Sequence, residues 1–130
     1  MVRASPPVLV VDDDPSLRDL IDWGLSDLGY RVATASNGAA ALQAVRQETP
    51  CVILLDMRMP IMDGWTFARQ YRALPGPHAP IVVITAARDA AEWAGEVNAA
   101  GYLGKPFDLD ELIRTVERHS AGPTPLPQDE

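Results

Sequence analysis

The sequence predicts a single α/β domain, doubly wound, in which one open parallel sheet carries helices on both faces. Three observations predict it. Short apolar runs recur at Val8 to Val11, Cys51 to Leu55 and Ile81 to Ile84. Each is continuous rather than alternating and rich in β-branched residues, as expected of strands covered on both faces. Segments with helical period separate the runs. At 130 residues the chain has the length of one domain and can bury roughly two thirds of its unfolded surface without help from disulfides. Strict alternation of strand and helix then implies parallel strands joined by right-handed crossovers.

The elements follow in order. Val8 to Val11 is the first strand. The first helix places Leu17, Leu20, Ile21, Gly24 and Leu28 on one stripe, and Asp14-Pro15 before them reads as a cap followed by proline at the first helical position. A weaker strand spans Tyr30 to Ala35. The second helix is entered at Asn37 and marked by Ala41, Leu42 and Val45. Cys51 to Leu55 is the third strand. The third helix is capped by Asp63, carries Phe67, Tyr71 and Leu74 on one face, and stops at Pro75-Gly76-Pro77; Trp65 lies off that face and reads as packing at the helix start. Ile81 to Ile84 is the fourth strand. A shorter fourth helix shows Ala90, Trp93, Ala94 and Val97, with Gly95 weakening it by up to about 1 kcal/mol relative to alanine. A brief fifth strand, Tyr102 to Leu103, leads to a fifth helix on which Leu109, Leu112, Ile113 and Val116 share a face. Asp108 and Glu111 have the spacing of a capping box. Residues 1–120 make up the domain. Residues 121–130 hold three prolines, Gly122 and a terminal acidic pair, and read as a disordered tail or linker.

Composition narrows the function classes. Eighteen acidic residues against 11 basic give a formal charge of −7, and with no basic run a general attraction to nucleic acid phosphates is not expected. No stretch approaches the roughly 20 apolar residues of a membrane span, and Met1 to Pro7 lacks the apolar segment of a secretory signal. The single cysteine, Cys51, sits in an apolar run as a small buried hydrophobe. These features point to a soluble protein of a reducing, cytoplasmic compartment. Ten of the 11 basic residues are arginine, so Lys105 is the only lysine.

In a sheet of this kind ligands bind outside the carboxyl ends of the strands, where strand order reverses. The first strand ends in Asp12-Asp13-Asp14, the third in Asp56, the fourth in Thr85, and the fifth leads into Gly104-Lys105-Pro106-Phe107. Each group has a plain reading: Asp14 caps the first helix, Asp12 and Asp13 form a solvated acidic turn, and threonine after a β-branched run is common. Lys105, before proline, lies in an extended conformation that directs its stem away from the fifth helix. Yet adjacent carboxylates repel unless a cation joins them. Asp56, at the end of an apolar run, costs desolvation free energy unless paired. Together the groups form one device. Hard oxygen ligands suit Mg²⁺ in contact with phosphate, and a carboxylate can attack phosphorus to form an aspartyl phosphate. Phosphoryl transfer then needs positioning and positive charge, which the metal and Lys105 supply, with a hydrogen bond from Thr85.

The sequence resembles the receiver domain of two-component response regulators from Pro7 to about Ser120. The matching pieces are Val8-Leu9-Val10-Val11-Asp12-Asp13, Leu54-Leu55-Asp56-Met57-Arg58-Met59-Pro60, Met62-Asp63-Gly64, Ile84-Thr85-Ala86 and Gly101-Tyr102-Leu103-Gly104-Lys105-Pro106-Phe107, in that order and spacing. The resemblance implies a flavodoxin-like (βα)5 fold with sheet order 2-1-3-4-5. It implies that Asp56 takes a phosphoryl group from a sensor histidine kinase or histidine phosphotransfer protein. Asp13 and Asp56 would hold Mg²⁺ directly, Asp12 through water, and the backbone carbonyl of Arg58 would complete the protein ligands. Lys105 and Thr85 would contact phosphoryl oxygens, and the Lys105-Pro106 peptide would be cis. Thr85 and Tyr102 match the switching pair, with the face of the fourth helix, fifth strand and fifth helix controlling a downstream protein partner. Arg58 and Ala87 stand where the family tunes the lifetime of the aspartyl phosphate.

The expected protein is thus a switch that phosphorylates and dephosphorylates its own aspartate, not an enzyme turning over an external substrate. It acts as a monomer or a phosphorylation-dependent dimer, alone or as part of a longer regulator. The alternative is a receiver-like protein-binding module that works unphosphorylated. A haloacid-type phosphatase fits poorly, since Arg58 stands where its Asp-x-Asp pair needs a second aspartate. Nucleotide binding fits poorly as well, because no GxGxxG is present and Gly104-Lys105 leads into proline.

Overall fold

In the computed structural model, which describes residues 5–120, five strands alternate with five helices. They are β1 (Val8–Val11), α1 (Pro15–Asp27), β2 (Val32–Ala35), α2 (Gly38–Gln47), β3 (Val52–Leu55), α3 (Gly64–Ala73), β4 (Ile81–Ala86), α4 (Ala87–Glu96), β5 (Gly101–Lys105) and α5 (Leu109–His119). All strand pairs are parallel and their order is β2-β1-β3-β4-β5. The flavodoxin-like doubly wound fold and its strand order are therefore as expected. The segment 121–130, read as a tail, lies outside the described residues.

The continuous apolar runs are explained by what covers them. One face of the sheet, with Leu9, Val11, Ile53, Leu55 and Val83, packs on Leu42 of α2, Phe67 and Tyr71 of α3, and Ala94 of α4. The other, with Val10, Val52, Leu54, Val82 and Ile84, packs on Ile21 and Leu25 of α1 and Leu112 and Val116 of α5. Neighbouring residues of one strand thus serve two cores, so no position in β1 or β3 can be polar.

Helix entry is local chemistry. The Asp14 carboxylate accepts from the Ser16 and Leu17 N–H groups at 2.9 and 3.4 Å. Asn37 accepts from Ala40 at 2.9 Å and Asp63 from Thr66 at 2.8 Å. Asp108 and Glu111 form the reciprocal capping box at 2.8 and 3.0 Å. Each fills N–H groups that a first turn leaves without partners. Among the described helices only α4 starts without a side-chain cap, behind Ala86.

Several boundaries and faces differ from expectation. On α1 the buried residues are Ile21, Gly24 and Leu25, while Leu20 and Leu28 are 47% and 45% exposed. Leu20 lies about 100° around the helix from Ile21, and Leu28 is the C-cap. Strand β2 begins at Val32 because Tyr30 still belongs to the helix exit, its N–H donating to the Leu25 carbonyl at 3.1 Å. Strand β3 begins at Val52, and Cys51 is half-buried rather than buried. Strand β5 is longer than Tyr102 to Leu103, since Gly104 and Lys105 pair with Thr85 and Ala86. Among the described residues no helix is long and apolar enough to cross a membrane.

Candidate functional site

Strand register assembles the site. Val11 pairs with Leu55, so the residues that follow, Asp12 and Asp56, emerge side by side at the point where the chain reverses direction across the sheet. The Asp56 N–H donates to the Val11 carbonyl at 2.9 Å, and the Asp12 N–H to the Ala35 carbonyl at 3.0 Å. One carboxylate oxygen each from Asp12, Asp13 and Asp56 lies within 4.8 Å of the others. Asp12 is wholly buried and Asp56 nearly so, whereas Asp13 is exposed.

On β4, the neighbour of β3, Thr85 is buried near the strand end and pairs with Gly104. Lys105 follows, and its Nζ donates to Asp12 Oδ2 at 2.8 Å and stands 3.7 Å from Asp56 Oδ2. The Lys105–Pro106 peptide is cis. A Cβ on Gly104 would lie 2.6 Å from the Ala87 Cα, so glycine is what lets β5 run this close to the start of α4. Gly64 does similar work beneath Asp56. A Cβ there would lie 2.8 Å from the Asp56 carbonyl oxygen and from the Met57 Cα, backbone atoms that cannot give way.

The electrostatics are unbalanced. Burial, followed by the neighbouring charge of Asp12, raises the Asp56 pKa from 3.8 to about 6, against the opposing pull of Lys105 and the Met57 N–H. That N–H donates to Asp56 Oδ1 at 2.9 Å. Burial works against the Lys105 ammonium. The hydrogen bond to Asp12 and the charges of Asp12, Asp56 and Asp13 outweigh it and raise the Lys105 pKa. Three carboxylates therefore face one securely protonated ammonium, and the cluster favours further positive charge. Its donors are hard oxygens with one exposed side at Asp13, a set suited to a dication such as Mg²⁺ that retains several waters. Both Asp12 oxygens are already engaged, Oδ1 by the Asp14 N–H at 2.9 Å and Oδ2 by Lys105.

Of the residues singled out in the sequence, Asp12, Asp13, Asp56 and Lys105 meet in one cluster. Thr85 is positioned by register at its side, and Ala87 opens α4. Tyr102 pairs with Val83 on β5 and is 54% exposed. The Arg58 side chain does not turn into the cluster. Its guanidinium carbon lies 4.9 Å from the Trp93 ring centroid on α4. Trp65 packs at the start of α3, as expected, in a T-shaped contact with Trp93, the ring centroids 4.9 Å apart. Arg18 escaped sequence reasoning. Its Nη1 donates to the Asp12 carbonyl at 2.7 Å, and the available signal was its place one turn after the Asp14 cap, on the helix leaving the acidic turn.

The model of the response regulator receiver domain family matches residues 8–117. The DNA-binding transcriptional regulator NtrC of Escherichia coli K12 is 42% identical over 113 residues, which is 85% of this chain and 24% of that protein. The probable transcriptional regulator ycf27 of Guillardia theta is 40% identical over 118 residues, 87% of this chain and 46% of its own. The chain thus spans half or less of these curated relatives. Among solved structures, the receiver domain of NtrX from Brucella abortus is 32% identical with a TM-score of 0.78, covering 86% of this chain and 96% of that one. The chemotaxis protein CheY4 of Vibrio cholerae is 33% identical with a TM-score of 0.75, covering 89% and 99%.

Proposed function

Because this chain belongs to the response regulator receiver domain family of two-component signalling, we propose that Asp56 accepts a phosphoryl group from a phosphohistidine on a sensor histidine kinase or phosphotransfer protein. One observation carries the reading: a buried carboxylate at a strand end stands 3.7 Å from the only lysine and within 4.8 Å of two more carboxylates.

An Asp56 carboxylate oxygen attacks phosphorus, the P–N bond breaks, and its electron pair leaves with the imidazole, which keeps or regains a proton from water. The Met57 N–H holds Oδ1 and so fixes the carboxylate plane. The Lys105 ammonium, kept charged by its acidic neighbours, meets the negative charge on the phosphoryl oxygens. The Thr85 hydroxyl donates to a phosphoryl oxygen. Asp13, Asp56 and the Arg58 carbonyl would hold Mg²⁺, and Asp12, both of whose oxygens are occupied, would act through water. When bound, the ion supplies charge neutralisation at the phosphoryl oxygens. Reversal by water makes the protein a timed switch, with Arg58 and Ala87 setting how readily water reaches the phosphoryl group.

Movement of the Thr85 side chain toward the phosphoryl group, where its hydroxyl donates a hydrogen bond, leaves space toward which the exposed Tyr102 ring turns. The face formed by α4, β5 and α5 then changes for a downstream protein partner. We place this switch in the cytoplasm, as a monomer or phosphorylation-dependent dimer, alone or joined to an output region as in its longer relatives. The test is intact mass after incubation with acetyl phosphate and Mg²⁺. The wild-type chain should gain one phosphoryl group, and EDTA or Asp56→Asn should abolish the gain. No added mass, or equal labelling of Asp56→Asn, overturns the proposal.

A further inference from the structure

Arg58 follows Asp56, one of three clustered carboxylates, by two residues, and its side chain is exposed. Coulomb attraction alone would fold the guanidinium over them. Among the described residues it makes no ion pair with any of the three; it lies on the Trp93 ring instead, with Cζ 4.9 Å from the centroid. That ring is held in turn. Trp65 meets it in a T-shaped contact, the planes at 64° and the centroids 4.9 Å apart. The Trp65 indole N–H then donates to Glu96 Oε1 at 2.8 Å. Trp65 and Trp93 are partly buried against the apolar core under α3 and α4. The aromatic surface is therefore fixed before the arginine reaches it.

A cation–π contact at an exposed site and an exposed ion pair are of comparable strength. The two positions open to the Arg58 guanidinium, on Trp93 or over the carboxylates, thus lie close in free energy, and the aromatic surface decides between them. We infer that Trp93 is a positioning residue for the acidic site, holding the Arg58 guanidinium on α4 and so leaving Asp12, Asp13 and Asp56 free for a divalent cation. The inference rests on the metal-binding reading given above. Released from Trp93, the guanidinium competes with the cation for the same oxygens. Cation affinity at one strand edge then depends on an aromatic residue of α4, a helix that supplies no ligand.

Titration of the ¹⁵N-labelled protein with Mg²⁺, followed by amide shifts around Asp56, tests this. Trp93→Leu should weaken Mg²⁺ binding about two- to five-fold, the range that a contact of this strength converts to. Trp93→Phe, which keeps an aromatic face, should retain the wild-type affinity. Arg58→Ala, which keeps the backbone carbonyl and removes the guanidinium, should bind at least as tightly as wild type, and adding Trp93→Leu to it should change nothing further. Amide dispersion verifies the fold of each variant, and Trp93→Met replaces Trp93→Leu should the latter lose it. Equal affinity of Trp93→Leu and wild type overturns the inference. So does an equal loss from Trp93→Leu whether Arg58 is present or replaced through Arg58→Ala, which would make Trp93 a packing residue only. Absence of saturable Mg²⁺ binding in the wild type would instead overturn the reading of the acidic cluster, and the inference with it.

Discussion

Asp56 ends a strand of four buried residues, and its carboxylate is held in an environment that favours the proton. Its folded pKa of about 6 stands above the ordinary value of 3.8, so between roughly pH 4 and pH 6 the folded chain binds more protons than the unfolded one. Stability therefore falls as pH rises through that window, and above pH 6 the loss is complete. In EDTA, the stability of Asp56→Asn relative to wild type should grow from pH 4 to pH 6 and then stay constant, leaving the variant the more stable protein at pH 7. Parallel urea-midpoint curves for the two proteins across this range would refute the assigned shift. At this scale most of the site was readable in advance. Asp12, Asp56 and Thr85 each end an apolar run, where a polar residue needs a reason, and Lys105 is the only lysine. Arg18 was not readable, because it acts on a backbone carbonyl through helix geometry. Nor was the direction of the Arg58 side chain, which is set by an aromatic ring on another element.

The helices were legible for a local reason and the strand ends were not, for a non-local one. A cap is a side chain bonding N–H groups two or three residues away, so Asp14, Asn37, Asp63 and Asp108 announce helix starts from sequence alone. Strand ends depend on the neighbouring strand: β5 reaches Lys105 because β4 continues through Thr85 and Ala86 beside it. On α1 the two leucines that depart from the expected stripe do so for different reasons: Leu20 sits at its angular margin, and Leu28 lies past the last helical residue, as the C-cap. Helix α4 is the least secured element, lacking a side-chain cap and carrying Gly95 in its last turn with no atom near a would-be Cβ. Gly95→Ala should raise stability by about 0.5–1 kcal/mol, seen as a higher urea midpoint with unchanged slope. A lower midpoint would show that the absence of a side chain at this exposed position is needed.

For the molecule as a whole, alternation of runs and periodic segments was enough for the fold class, because strands covered on both faces cannot alternate. Periodicity could not give the strand order; only the resemblance implied it, since order depends on which helices cover which face. That order has a chemical consequence. Placing β1 between β2 and β3 brings the ends of β1 and β3 together at the reversal point, and several of the carboxylates behind the net charge of −7 gather there around one ammonium. Asp56 is the phosphoacceptor on the function proposed above, and the most direct measurement locates the phosphoryl group. After incubation with acetyl phosphate and Mg²⁺, borohydride reduction converts an aspartyl phosphate to homoserine, which peptide sequencing by mass spectrometry places in the chain. Homoserine at position 56 alone is expected. Homoserine at any other aspartate, or none in a protein that has gained phosphate, would contradict Asp56 as the acceptor.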